Sequence, residues 1–155
     1  QPGDILVIDQ KRVTSRAGWG GLQTYIAKKK KISAVIVDGA VRDVADIRKL
    51  GVPVFCRAVS PAGPHKGWGG YVNTTISCGG VPVAAGDIIV ADDDGIVVVQ
   101  QKKLIALLAA CRKRLAMEKD WYRWVDQGKS TADFMGFHKK REELGIEFIS
   151  GPDNN

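Results

Sequence analysis

The sequence predicts an α/β fold in which parallel strands alternate with helices. Three apolar runs suit buried strands, at residues 5–9, 34–37 and 52–57, and helical patterns separate them at residues 22–30 and 41–50. This β-α-β-α-β order is typical of parallel strands joined by helical crossovers. A long amphipathic pattern from residue 102 to about 127 adds a helix near the end of the chain.

Composition limits the classes of protein that the chain can belong to. Its 155 residues, 45% hydrophobic and 26% charged, suit one ordinary globular domain. No apolar run is long enough to span a membrane. The three cysteines are widely spaced without a metal-type pairing, which favours a reduced, cytoplasmic protein.

The net charge of +6 includes a basic run at residues 28–31. Nucleic-acid binding is one interpretation, and a solvated helix end, stabilised by the helix dipole, is the other. No aromatic RNA-binding signature accompanies the lysines, so neither a nucleic acid nor a membrane is expected as a partner.

The first strand is followed by a polar loop at residues 10–16 and then by a helix. Leu22, Tyr25, Ile26 and Ala27 mark one apolar face of this helix. Gly20 and Gly21 precede it directly. Glycines here either leave backbone N–H groups free to bind an anion or form a turn that packs closely against a neighbour.

The next strand leads into the most informative stretch of the chain. The pattern predicts that the strand ends at a tight turn, Asp38-Gly39, and that Arg42 and Asp43 lie in the first turn of a helix closed by Gly51. Ligands bind at such corners of α/β sheets. A guanidinium beside a carboxylate could hold an organic acid and a metal; alternatively, Asp43 only complements the helix dipole.

The rest of the chain carries short strands and then helices. A Gly/Pro-rich loop at residues 60–70 precedes β runs at residues 73–77, 81–83, 87–91 and 96–99, the last two joined by a plain Asp-Gly turn rather than a metal site. In the long helix, Glu118 falls on the apolar stripe, where it pairs with Arg114 or projects into a site or subunit interface. A helical turn at residues 130–137, a helix at 138–144, an edge strand at 146–149 and a frayed end at 151–155 are expected after it.

Several segments together resemble the RraA-like superfamily, and within it the 4-hydroxy-4-methyl-2-oxoglutarate / 4-carboxy-4-hydroxy-2-oxoadipate aldolases. In order along the chain, the matching segments lie at residues 3–7, 38–43, 51–55, 72–73, 78–81 and 86–99. The resemblance implies a swivelling-type β/β/α sandwich with a long C-terminal helix, assembled as homotrimers or homohexamers with sites at subunit interfaces. It implies a core at residues 1–127 and a helical extension with a frayed tail at 128–155. Family members extend further at the N-terminus, so the N-terminal part of the family fold is expected to be missing.

The family's aldolase signature places an acid, a long spacer, Arg-Asp and a further acid. Arg42, Asp43 and Asp46 match the second half, whereas Gly21 stands where many relatives have Glu or Asp. The departure leaves Asp43 as the sole direct carboxylate ligand of the metal, with Asp46 behind it. The backbone amides of Gly20, Gly21 and Leu22 correspond to those that receive the pyruvyl carboxylate.

By this resemblance the chain is a class II aldolase that cleaves 4-hydroxy-2-oxo dicarboxylic or tricarboxylic acids to pyruvate and an oxo acid, and that decarboxylates oxaloacetate. Mg²⁺ or Mn²⁺ would polarise the substrate. Arg42 would bind the keto acid, and Glu118 of a neighbouring subunit would accept the C4 hydroxyl proton. The alternative is a non-catalytic RraA-type regulator that binds a ribonuclease or another protein; those regulators lack the Arg-Asp pair.

Overall fold

The computed structural model describes residues 1–67 and 69–147, which form two compact units, Gln1–Lys102 and a second beginning at Lys103. The strands of the first unit are β1 Ile5–Ile8, β2 Ala17–Trp19, β3 Ala34–Val41, β4 Val54–Val59, β5 Ile76–Cys78, β6 Val81–Val83, β7 Ile88–Asp92 and β8 Gly95–Val99. Its helices are α1 Gly21–Lys29 and α2 Val44–Leu50. The long helix belongs to the second unit; a single domain over residues 1–127 stays a prediction.

Strand β3 lies at the centre of a parallel sheet. It pairs with β1 from Ala34 to Val37, with β2 at Ala40 and Val41, and with β4 from Val35 onward. Strand β4 pairs along nearly all of one edge of β3. Strands β1 and β2 therefore share the other edge, β1 beside the first half of β3 and β2 beside its last residues. The predicted parallel β-α-β-α-β arrangement is confirmed.

The prediction of a turn at Asp38-Gly39 is wrong, because β3 continues through both residues to Val41. The carboxylate of Asp38 is only 3% exposed and pairs with the guanidinium of Arg57 on β4. Gly39 faces the Gln10 side chain, whose oxygen would lie 2.6 Å from a Cβ atom at residue 39. The Arg57 guanidinium and the Gln10 side chain, both distant in sequence, allow these turn-type residues to occupy a strand.

Of the predicted face of helix α1, only Ala27 is buried, and Thr24 is buried in addition. Leu22 is 72% exposed, and Tyr25 and Ile26 are 47% exposed. The buried indole N–H of Trp19 donates to the Thr24 hydroxyl at 2.8 Å, and that hydroxyl donates to the Gly20 carbonyl. A buried indole requires such a partner, which places the small polar residue inside.

The remaining strands form two antiparallel hairpins, β5–β6 and β7–β8. Gly79 and Gly80 form the two-residue loop of the first hairpin, both with positive φ, as a tight hairpin requires. The predicted Asp-Gly turn of the second hairpin is confirmed: an Asp92 carboxylate oxygen accepts from the N–H groups of Asp94 and Gly95. Strands β4 and β5 begin two and three residues later than predicted.

The second unit is helical. A 3₁₀ turn at Gln101–Lys103 precedes α3 Leu104–Asp126, and α4 Thr131–Phe134 and α5 Phe137–Glu143 follow, which confirms the predicted long helix. No residue of α3 is buried. Phe134 of α4 packs on Trp121 and Trp124 of α3, with ring centroids 6.0 and 5.3 Å apart.

Two further predictions concern the chain end and the membrane. The predicted edge strand at residues 146–149 is absent at residues 146 and 147, and its remainder and the predicted frayed end lie outside the described residues. Within residues 1–67 and 69–147, no helix combines the length and apolar character needed to cross a bilayer.

Candidate active site

The corner between β3 and α2 carries the predicted Arg-Asp pair, although not in the predicted first helical turn. Asp43 is the N-cap residue of α2, which begins at Val44. Its backbone is left-handed, with φ 58° and ψ 38°, and its carbonyl accepts from the N–H groups of Asp46 and Ile47. A non-glycine residue in this region is strained, and such strain concentrates at functional sites.

Two glycines at the start of α1 pack against this corner. The Gly21 N–H donates to Oδ2 of Asp43 at 3.0 Å. A Cβ atom at Gly20 would lie 2.7 Å from the same oxygen and 3.0 Å from Cγ of Arg42. The close-packing interpretation of these glycines therefore holds. The Gly21 N–H in particular is not a free anion donor, because it already binds a carboxylate.

The backbone of Arg42 is fixed by a hydrogen bond, whereas its guanidinium group is partly exposed. The Arg42 N–H donates to the carbonyl of Trp19 at 3.0 Å, which ties the corner to β2. The guanidinium Nε lies 3.6 Å from Oδ2 of Asp43, and the side chain is 44% exposed. The remaining guanidinium donors are therefore accessible to a ligand.

A second carboxylate lies beside the first. Cβ of Asp46 and Cβ of Asp43 would lie 3.4 and 3.3 Å from a Cβ atom placed on Gly21. The Asp46 side chain is 68% exposed and its oxygen is 3.8 Å from Nζ of Lys49. The structure thus brings together Gly20, Gly21, Arg42, Asp43 and Asp46, five of the seven predicted site residues. Leu22, a sixth, follows directly on α1.

The donors at this corner suit a hard divalent cation. Carboxylate oxygens are the ligands that Mg²⁺ and Mn²⁺ prefer, and Mg²⁺ commonly binds through one or two carboxylates while keeping waters and substrate oxygens. No cluster of three or more His, Cys, Asp or Glu side chains suited to a metal occurs within the described residues. A cation held here would therefore depend on substrate and water for most of its ligands.

The seventh predicted residue, Glu118, lies on α3 in the second unit. Its carboxylate accepts a 3.0 Å hydrogen bond from Nε of Arg114, which is one of the two alternatives that the sequence left open. The Arg114 guanidinium lies over the Trp121 ring, 4.3 Å from its centroid. Stacking of a guanidinium on an indole restrains the arginine, so the Glu118 carboxylate is restrained as well.

An ion pair not predicted from the sequence, between the buried Asp38 on β3 and the partly exposed Arg57 on β4, lies in the same sheet. Asp38 binds the Arg57 guanidinium and also accepts from the Gly79 N–H at 2.8 Å. The bond from Arg57, helped by that from Gly79, holds the pKa of Asp38 below its ordinary value despite burial. Similarly, the side-chain bond from Lys11 lowers the pKa of Asp9. The hydrogen bond from Gly79 to Asp38 joins the sheet to the β5–β6 hairpin.

Sequence reasoning predicted the loop after β4 but not its contacts with two arginines. The Gly63 carbonyl accepts from Nη1 of Arg16 at 3.0 Å, and Nη1 of Arg42 would lie 3.0 Å from a Cβ atom at Gly63. Nothing in the spacing of residues 16, 42 and 63 signals this contact, because three separate segments form it.

Comparison with known proteins agrees with this architecture. The family model described as "RraA-like: Aldolase/RraA" matches residues 1–98. A protein of Halalkalibacterium halodurans named "Putative 4-hydroxy-4-methyl-2-oxoglutarate aldolase" is 43% identical over 88 residues, which are 57% of this chain and 42% of that protein. The chain therefore spans about two fifths of this relative.

Two solved structures share the fold and are also about 30% identical to this chain in sequence. The RNA-processing inhibitor RraA from Thermus thermophilis is 29% identical, with a TM-score of 0.60, over 64% of this chain and 62% of that one. RraAS2 of Streptomyces coelicolor, described as an unusual member of the RNase ES inhibitor RraA protein family, is 30% identical, with a TM-score of 0.73, over 79% and 63%. The matched sequence, the parallel sheet and these structural neighbours together show that the chain belongs to the RraA-like family.

Proposed function

We propose that the chain is a divalent-metal-dependent lyase, a class II pyruvate aldolase that also decarboxylates oxaloacetate. Its substrates would be 4-hydroxy-2-oxo dicarboxylic or tricarboxylic acids, cleaved to pyruvate and an oxo acid. The observation that carries the proposal is the Arg42-Asp43 corner, where an exposed guanidinium and a carboxylate lie against the glycines of α1. The aldolase name of the Halalkalibacterium relative supports the same reaction class.

Each residue at the corner has a distinct part in this proposal. Asp43 would hold Mg²⁺ or Mn²⁺, and Asp46 would orient the waters around the ion. When bound, the ion would act as a Lewis acid toward the keto oxygen of the substrate. Arg42 would donate charge-assisted hydrogen bonds to the substrate carboxylate and to the keto oxygen as negative charge develops there. The amides of Gly20 and Leu22 would complete the cradle for the pyruvyl carboxylate, and that of Gly21 would hold Asp43.

Cleavage of the C3–C4 bond also requires a base for the C4 hydroxyl proton. We assign this role to Glu118 of a neighbouring subunit in a homotrimer or homohexamer. Its carboxylate is restrained by Arg114 and lies on a helix of which no residue is buried. Accepting the hydroxyl proton as the bond breaks would place the electron pair of that bond on the pyruvyl fragment. We place the enzyme in the cytoplasm, where its cysteines, all free, would stay reduced.

Pyruvate release tests the proposal directly. Purified chain is incubated with oxaloacetate or 4-hydroxy-4-methyl-2-oxoglutarate in Mg²⁺, with and without EDTA, and pyruvate is measured by a coupled dehydrogenase. We expect release that stops with EDTA and in Arg42→Ala and Asp43→Ala. Arg48→Ala, on the far end of α2, is the matched control. Release that ignores EDTA, or persists in both variants, would refute a metal-dependent aldolase.

A regulator of ribonuclease activity is the second candidate, because two structural neighbours are described as inhibitors in RNA processing. The same preparation distinguishes it. Capture of a ribonuclease by the immobilised chain, without Mg²⁺ binding in calorimetry and without pyruvate release, would favour the regulator. The Arg-Asp corner, which such a regulator does not need, is the reason to place the enzyme first.

A further inference from the structure

Two arginines from different segments meet at one backbone position beside the corner. Nη1 of Arg16 donates to the Gly63 carbonyl at 3.0 Å, while Nη1 of Arg42 would lie 3.0 Å from a Cβ atom on the same glycine. Because Gly63 has no side chain, both guanidinium groups fit beside this one backbone position. Arg16 thus adds a second cationic group to the neighbourhood of Arg42.

Arg16 is held in this place by its backbone as well as by its tip. The N–H of Ala17 donates to the Ala62 carbonyl at 2.8 Å, and the hydroxyl of the buried Ser60 donates to the Ser15 carbonyl at 2.8 Å. The Ser60 N–H in turn donates to the carbonyl of Val41, at the end of β3. Arg16 is therefore fixed relative to β3, whose last residue, Val41, directly precedes Arg42, as a preorganised binding group should be.

The charge of Arg16 is not neutralised locally. Among residues 1–67 and 69–147, no carboxylate forms an ion pair with it. One of its five N–H donors is used by Gly63 and the side chain is exposed, so a planar face with several donors remains available. Such a face matches a carboxylate with two parallel hydrogen bonds.

We propose that Arg16 is a specificity-determining residue that binds the second carboxylate of the substrate, the one attached to C4. This inference rests on the proposed function, in which Arg42 binds the pyruvyl end. Two neighbouring guanidinium groups then hold a dianion at both ends. A substrate with hydrogen in place of the distal carboxylate keeps the contact with Arg42 and loses only the contact with Arg16.

A purely structural role for Arg16, bracing the loop through Gly63, makes a different prediction. Loss of a brace would impair every substrate alike, because the geometry of Arg42 would change. Loss of a carboxylate-binding group impairs only substrates that carry the carboxylate. The two roles are therefore separated by comparing substrates rather than by measuring one activity.

The test compares 4-hydroxy-4-methyl-2-oxoglutarate with 4-hydroxy-2-oxopentanoate, in which hydrogen replaces the distal carboxylate. We expect Arg16→Met to lower kcat/KM for the dicarboxylate about tenfold to hundredfold, the loss of a charge-assisted hydrogen bond, and to change that for the monocarboxylate less than about twofold. Arg16→Lys should retain part of the preference. Arg12→Met is the matched control, since its guanidinium lies near Gly80 instead of Gly63.

Exchange of the pyruvate methyl protons with deuterium, followed by NMR, reports on the Arg42-Asp43 corner without any distal group. Suppose that exchange persists in Arg16→Met. If the substrate preference is then unchanged, or if kcat/KM falls equally for both substrates, the role of Arg16 alone is overturned. Absence of exchange and of cleavage in the wild-type chain would overturn the aldolase proposal, and this inference with it.

Discussion

The Asp43 carboxylate accepts a 3.0 Å hydrogen bond from the backbone N–H of Gly21, a residue 22 positions earlier in the chain. This bond joins the first residue of α1 to the N-cap residue of α2. It engages one carboxylate oxygen, Oδ2, and the half-exposed side chain leaves the other for a ligand. The proposed metal site thus depends on a contact between two crossover helices.

The two carboxylates at the corner should contribute unequally to metal binding. Asp43→Asn keeps an oxygen for the Gly21 N–H but loses the charge, whereas Asp46→Asn alters only the more exposed neighbour. We expect Asp46→Asn to weaken Mn²⁺ binding about tenfold to hundredfold, as loss of an outer carboxylate does, and Asp43→Asn to weaken it more. Electron paramagnetic resonance titration of Mn²⁺ measures both. Equal, unperturbed affinity in Asp43→Asn would contradict the assignment.

Gly21 should tolerate an acidic side chain that strengthens the site. A Cβ atom built on Gly21 would lie 3.3 Å or more from the surrounding side chains, and the φ angle of Gly21 is not positive. The neighbouring side chains would therefore move by only a few tenths of an ångström. Gly21→Glu would place a third carboxylate beside Asp43 and Asp46. Because cation affinity rises with the number of charged ligands, Mn²⁺ should bind about tenfold more tightly.

Gly21→Gln is the control for Gly21→Glu, since it has the same size without the charge. It should bind Mn²⁺ like the wild type. Gly20→Ala offers a contrast, because its methyl group would lie 2.7 Å from Oδ2 of Asp43 and should disrupt the corner. Tighter Mn²⁺ binding in Gly21→Gln would show that charge is not the cause.

Subunit complementation should reveal a shared site. Arg42→Ala and Glu118→Gln each remove one proposed participant, and each variant alone should release little pyruvate. If Glu118 acts across a subunit interface, mixing the two after mild dissociation forms some sites with both wild-type residues. Pyruvate release should then recover to a fraction of the wild-type rate. Recovery that never exceeds the sum of the separate variants would argue that each chain supplies its own Glu118.

Stability should fall in acid partly because of Asp38. Its folded-state pKa is lowered by Arg57, so its contribution to the free energy of unfolding is complete above the unfolded pKa of about 3.9 and is lost as pH falls through the lower folded value. Asp38→Asn should lack this part of the pH dependence. At pH 7 it should cost about 1–3 kcal/mol, nearer the lower figure because Arg57 is 38% exposed.

Urea unfolding between pH 3 and 7 measures this difference. Asp93→Asn, an exposed substitution, is the control and should follow the wild type. Asp9, whose pKa is also lowered, leaves part of the acid sensitivity in every variant. An identical pH profile for Asp38→Asn and wild type would refute the stabilising role of the pair.

Alanine substitutions at two strand glycines, Gly18 and Gly39, should both lower the stability of the fold. Shortening the Gln10 side chain should restore that stability at only one of them. A methyl group at Gly18 would meet only the amide end of Gln10, whereas one at Gly39 would also lie 2.7 Å from Cβ of Gln10. We expect Gly39→Ala to cost about 1–3 kcal/mol and Gly18→Ala less, because a side-chain end can move. Gln10→Ala should remove the cost at Gly18 but not at Gly39. Denaturant midpoints measure this, with Gly69→Ala, which has open space, as the control.

The sequence by itself determined the order of the elements and the place of the Arg-Asp pair. Apolar runs and helical spacing are local properties, so strands β1, β3 and β4 and helix α3 followed from the residues they contain. The i, i+4 spacing likewise offered the pairing of Glu118 with Arg114 as one of two alternatives. The Arg-Asp pair was also recognisable as a candidate site, because a guanidinium beside a carboxylate could hold an organic acid and a metal.

Only the tertiary structure decided how far β3 runs and what surrounds its end. Asp38 and Gly39 have turn-forming character, and their place in a strand depends on Arg57 and Gln10, which no local pattern connects to them. The proximity of Arg16 to Arg42 through Gly63 has the same origin. Buried charges and close backbone approaches are stabilised by partners that are far away in sequence. The spacing of neighbouring residues therefore does not predict them.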